Sequence, residues 1–143
     1  MPPVTILFVR TAFLYLVIGL FTGAVMDISY GSGNPVLSGL LLSEYVHMLT
    51  VGWLTQLIFG VSYWMFPQAK DKEGFINLEK VAFAVYACLN AGLIIRIFIE
   101  PFIRLGIFEN LYFLVVIAAV LQFLTAVGFT IITWPRIRGR QSA

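Results

Sequence analysis

The chain carries one histidine, His47, and one cysteine, Cys88, in 143 residues. A single cysteine excludes an intrachain disulfide. A single histidine excludes any metal centre that needs several imidazoles from one copy. Charge is equally scarce: only 11% of residues are Asp, Glu, Lys or Arg, against 60% apolar. Such a balance, with a mean hydropathy of +0.94, lies outside the range of soluble domains and belongs to membrane proteins. The apolar runs are continuous and do not alternate, which excludes a transmembrane barrel. The formal net charge of +2 reports membrane topology, and a nucleic-acid role has no support.

Four apolar segments are present, roughly Thr5–Ile28, Leu41–Phe66, Glu79–Glu100 and Phe108–Trp134. Each exceeds the ~20 residues that cross the hydrocarbon core as a helix. The first is too long for a signal peptide, contains Arg10 near its start and has no small-residue cleavage site before Asp27. Between the segments lie a glycine-rich stretch from Ser29 to Pro35, a charged one from Pro67 to Asn77 and a short one from Pro101 to Gly106. The expected fold is therefore all-α: one integral membrane four-helix bundle over residues 1–143, up-down-up-down, with no linker and no internal repeat.

Orientation follows from the basic residues. With both termini cytoplasmic, Arg10, Lys70, Lys72, Lys80, Arg136, Arg138 and Arg140 lie inside and Arg96 and Arg104 outside, as the positive-inside rule requires. The expected location is a bacterial or archaeal cytoplasmic membrane, with lipid as the first partner. The run from Arg136 to Arg140 reads as a membrane-surface anchor. Tyr30, Tyr112, Trp64 and Trp134 fall near the expected boundaries, where amphipathic rings anchor helices.

Polar residues inside the spans narrow the function. His47 lies about two turns from the outer end of its helix, with Glu44 one turn away. Ionisable groups at such depth are costly and mark function more often than packing. A neutral imidazole here is a ligand for haem iron, with Glu44 as acceptor of its other ring N–H, or else a packing group bonded to Glu44 or a carbonyl. Arg96, Glu100 and Arg104 are spaced four apart on one helix face. They read as an ion ladder, as guanidiniums for haem propionates, or as both. Stripes of small residues, Gly19 and Gly23 in the first span and Gly52, Gln56 and Gly60 in the second, allow close helix approach or clearance for a macrocycle. They also predict self-association.

The run His47-Met48-Leu49-Thr50-Val51-Gly52-Trp53, continuing through Gln56, Phe59-Gly60 and Tyr63-Trp64-Met65-Phe66-Pro67, resembles the second helix of haem-copper oxidase subunit I, and most closely its nitric oxide reductase-like branch. The resemblance implies that His47 is an axial ligand of a low-spin haem. It also implies a stand-alone four-helix third of a twelve-helix subunit, which would rebuild the oxidase outline as a homotrimer. A dimer would instead place two His47 rings on one shared haem. One histidine per pocket does not build the family's second metal centre, so gas reduction of the family type is not expected.

The leading expectation is a membrane protein with non-covalent haem b for electron transfer, gas binding or holding haem for another protein, with a redox partner in the first case. His47 is the metal ligand, and Arg96, Arg104 and Glu44 complete the cofactor site. Covalent attachment is excluded because no Cys-x-x-Cys-His run is present. The alternative is a metal-free scaffold or accessory subunit with a structural His/Glu/Arg cluster. A transporter would need broken helices or a polar pathway.

Overall fold

The computed structural model describes residues 1–66, 78–107 and 109–137. These residues are helical, without a strand among them, and they form four helices. Helix α1 spans Pro3–Gly31. The second helix is a continuous rod of three parts: α2 (Pro35–His47), a π-helical segment (Met48–Thr55) and α3 (Gln56–Met65). Helix α4 spans Leu78–Arg104, and α5 spans Tyr112–Thr133 between 3₁₀ turns at Glu109–Leu111 and Trp134–Arg136. Three of the four helices are long and apolar enough to cross a membrane. In the second rod the π segment divides an otherwise comparable length.

The bounds extend past those expected from hydropathy, for local reasons. Pro35 pre-sets the first helical turn of α2, so the opening loop shrinks to Ser32–Asn34, where Gly33 takes a positive φ of 78°. Pro101, expected in a loop, lies inside the last turns of α4, which continues to Arg104 before Gly106 turns the chain at φ 73°. The charged connection 67–77, with its Lys70 and Lys72, lies outside the described residues, as do Arg138 and Arg140.

Close packing is built on the glycines. A Cβ on Gly60 would meet Phe8, one on Gly52 would meet Tyr15 and Leu93, one on Gly19 would meet Leu49, and one on Gly23 would meet Tyr45. Contacts thus ascend α1 as they descend the second rod. In the same way Gly92 lies against the carbonyl of Ala118, and Gly128 against Val85, between α4 and α5. The small-residue stripes expected to face other copies are used inside one chain, where they let helix backbones approach. Two cores result. One gathers Val4, Phe8, Tyr63, Ala82, Val85 and Ile132; the other gathers Tyr15, Met48 and Leu93. Stacked rings of Phe59 and Phe129, 3.8 Å between centroids, join α3 to α5.

The π segment explains how the second rod keeps one face inward. Glu44, Met48, Gly52, Gln56 and Gly60 are all buried and recur every four residues. In a straight α-helix a four-residue stripe drifts by about 40° per step, because a turn holds 3.6 residues. The i→i+5 ladder of Met48–Thr55 under-winds the rod and cancels much of that drift. Hydroxyls brace it: Thr50 donates to the Val46 carbonyl at 2.7 Å, and Thr55 to the Thr50 carbonyl, five residues back, at 2.8 Å.

Large apolar side chains cover the outside, among them Phe13, Leu14, Val17 and Phe21 on α1 and Phe113, Val116, Val120 and Phe123 on α5. Tyr30 and Tyr112 are exposed at one end of the molecule, and Trp64 and Trp134 at the other. Apolar flanks between two aromatic rims are the surface of a membrane protein.

Candidate functional site

Polar side chains collect at the end of the bundle where α2 meets α4. On α2, His47 is half-buried, and its Nδ1 lies 2.7 Å from the backbone carbonyl of Ser43. A carbonyl only accepts, so Nδ1 carries the proton and donates. In the neutral ring the lone pair then sits on Nε2, which has no hydrogen-bond partner among the described residues. The Ser43 hydroxyl lies 3.4 Å from the same Nδ1 and donates across the helix boundary to Glu100 Oε1 at 2.8 Å.

Glu100 is the hub of α4. Its Oε2 accepts from Arg96 Nε at 2.8 Å and its Oε1 from Arg104 Nη2 at 2.8 Å. The four-residue spacing thus forms the ion ladder anticipated from sequence. Arg104 Nη1 also reaches the Gly39 carbonyl at 3.5 Å, a long contact. Two guanidiniums share one carboxylate, so the ladder keeps a net charge of +1. Arg96 engages Glu100 through Nε alone, which leaves both terminal nitrogens as donors. A continuous path of hydrogen bonds therefore runs from His47 through Ser43 and Glu100 to both arginines.

Glu44 stands apart from this path. It is 3% exposed, and neither carboxylate oxygen has a partner among the described residues. The ring N–H expected to reach it goes to the Ser43 carbonyl, because an i−4 carbonyl lies directly beneath the imidazole while Glu44 points along the inward stripe. The structure thus brings His47, Arg96 and Arg104 into one hydrogen-bond network and leaves Glu44 outside its hydrogen bonds, though within electrostatic reach of Glu100, Arg104 and Arg96. Ser43, the connecting residue, has a signal in sequence: a hydroxyl residue one turn before the histidine.

A second polar group lies deeper, between α1, α3 and α4. The Tyr86 hydroxyl donates to Thr11 Oγ1 at 2.8 Å, since that oxygen gives its own proton to the Leu7 carbonyl. Gln56 is fully buried, and among the described residues neither its amide atoms nor Asn90 Oδ1 has a partner. Met48, Tyr15 and Leu93 separate this group from Glu44, so the two polar islands are divided by an apolar plug. At the far end Arg136, expected as a surface anchor, is 4% exposed. It donates to the carbonyls of Tyr63 and Phe66 at 2.9 and 2.8 Å and lies over the Tyr63 ring. The end of α3 leaves carbonyls unpaired, and a nearby guanidinium satisfies them.

Among the described residues no three of His, Cys, Asp and Glu converge as a metal cage. A site with one protein ligand on a macrocycle-bound iron needs none. The residues present fit such a group: a histidine with its distal nitrogen free, its other nitrogen held by a carbonyl, and a net positive ladder beside it. No protein-family model, curated protein or solved structure matches this chain.

Proposed function

We propose that the chain is a membrane haem b protein with its four helices running up-down-up-down and both termini cytoplasmic, resembling one arc of a haem-copper oxidase catalytic subunit. The observation that carries this reading is the state of His47: Nδ1 is fixed by the Ser43 carbonyl and Nε2 is unpartnered. That is the arrangement by which proteins hold a neutral imidazole in the tautomer and orientation a metal needs. Haem at this position would supply one-electron exchange or diatomic gas binding at its iron. The chain's own part is to hold the imidazole through Ser43, to neutralise propionates with Arg96 and Arg104, and to exclude water with the apolar surface of α2. Glu100 keeps both arginines extended, so the ladder and the propionate site are one structure with two uses.

The second reading, a metal-free scaffold, is favoured by the pairing of both arginines with Glu100 inside the chain. One experiment separates the two. Protein made with ample haem and purified in mild detergent is expected to show a Soret band. His47→Ala is expected to lose nearly all of it at unchanged helix content, because insertion depends on hydropathy and not on this side chain. Arg96→Leu is expected to retain the fold and release haem faster. Full loading of His47→Ala overturns the assignment of His47 as ligand, and a colourless wild type favours the scaffold reading instead.

A further inference from the structure

We infer that two copies of this chain share one haem across a twofold axis parallel to the helices, with one His47 on each face of the macrocycle and one arginine ladder at each propionate. The inference rests on the haem reading above and adds its stoichiometry and its partner.

Three features of the chain lead to it. First, one copy offers one free imidazole nitrogen and leaves it uncovered. His47 Nε2 is unpartnered, yet it is not among the polar atoms sealed in the interior, so it opens on the flank of the bundle. Along that flank Leu42, Val46, Leu54 and Ile58 are exposed, and the hydroxyl of Thr50 is turned back onto the Val46 carbonyl. A macrocycle bound there has one face on α2 and nothing from this chain on the other.

Second, charge counts match. Each ladder has two guanidiniums and one carboxylate, a net +1. Haem carries two propionates at one edge, and two copies bring two ladders. Haem also has an approximate twofold axis in its own plane, running through the iron and between the propionates. An isologous pair presents identical groups across such an axis. It therefore gives one imidazole to each face and one positive ladder to each carboxylate.

Third, the groups lie in the right order along the helices. Ser43, Glu100 and Arg104, the last opposite Gly39, stand toward the start of α2 from His47, and Arg96 lies one turn of α4 on the other side of Glu100, nearer the level of His47. Propionates likewise lie to one side of the iron. The glycine stripes are occupied inside the chain, so they do not compete as a contact between copies.

The test uses the full chain produced with haem and held in mild detergent. Haem per chain is measured by pyridine haemochrome, mass by native mass spectrometry, and iron coordination by absorption and electron paramagnetic resonance. The expected result is one haem per two chains, haem found on the dimer, and a six-coordinate low-spin signal of two imidazoles. Dimers mixed from wild-type and His47→Ala chains, isolated with two affinity tags, are expected to keep haem and become five-coordinate. One haem per chain, or haem on a monomer or trimer, overturns the shared site while leaving the haem reading intact. Mixed dimers that stay six-coordinate with two imidazoles also overturn it. A wild type without haem overturns both.

Discussion

Gly52 is the point where the second rod comes nearest to two other helices, and it gives the most direct test of the packing. A Cβ added there stands 2.6 Å from Tyr15 Cγ, 2.9 Å from Tyr15 Cβ and 2.9 Å from Leu93 Cδ2. Carbon atoms in contact prefer about 3.5–4.0 Å, so the neighbours must retreat by about 1 Å. Leu93 has a flexible tip, but the Tyr15 atoms lie at the base of a side chain and move only with α1. Overpacking of this kind costs about 1–3 kcal/mol. Gly39 is the control, since nothing lies within 4 Å of its added Cβ. Both glycines are helical, so the gain of about 1 kcal/mol on replacing glycine by alanine is common to the pair. Gly52→Ala is expected to be less stable than Gly39→Ala by about 1–3 kcal/mol. At about 3 °C per kcal/mol for a domain of this size, that separates their melting temperatures by about 3–9 °C. Thermal unfolding in one detergent, followed by circular dichroism, measures it. If Gly52→Ala melts at or above Gly39→Ala, the close three-helix approach is wrong.

Two further substitutions probe buried groups whose partners have no pattern in the sequence. Arg136→Ala removes two hydrogen bonds from a charged donor and the contact with the Tyr63 ring; the expected loss is about 2–4 kcal/mol, with Arg136→Lys recovering part of it, and an unchanged melting temperature would show that the buried guanidinium holds nothing. Gln56→Leu exchanges an amide with two unpartnered ends for an apolar side chain of similar size. The expected change lies between neutral and about 2 kcal/mol of stabilisation, and a loss of more than about 1 kcal/mol would show that water already satisfies the amide.

Hydropathy was enough to locate the four helices, because each must present an apolar outer surface over its length. It did not locate their ends. Pro35 and Pro101 are expected in the connections, whereas one opens α2 and the other lies within the closing turns of α4. Hydropathy alone also does not indicate the π segment at Met48–Thr55. The signal was the four-residue recurrence of Gly52, Gln56 and Gly60, which a turn of 3.6 residues does not sustain. At the site, the i, i+4 spacing of Arg96, Glu100 and Arg104 gave the ladder directly. The partner of His47 Nδ1 did not follow from spacing, since Ser43 and Glu44 both lie about one turn away and only the backbone decides between them. Contacts between α2 and α4, such as Ser43 with Glu100, join residues 57 positions apart and have no local pattern.

The π-helical segment has a consequence for length as well as for facing. Over Met48–Thr55 it stores roughly one residue more than an α-helix of the same number of turns. Removing one residue within it allows an ordinary i→i+4 ladder to re-form while α2 and α3 each keep their phase, so that Ser43 remains on Glu100 and Gly60 on Phe8. Removing one residue from α2 or α3 instead rotates part of that helix by about 100°. Residues such as His47 would then swing away from α4, or Gln56 out of the interior. The second rod thus has a single place where a change of chain length is absorbed, and it lies directly beneath the histidine.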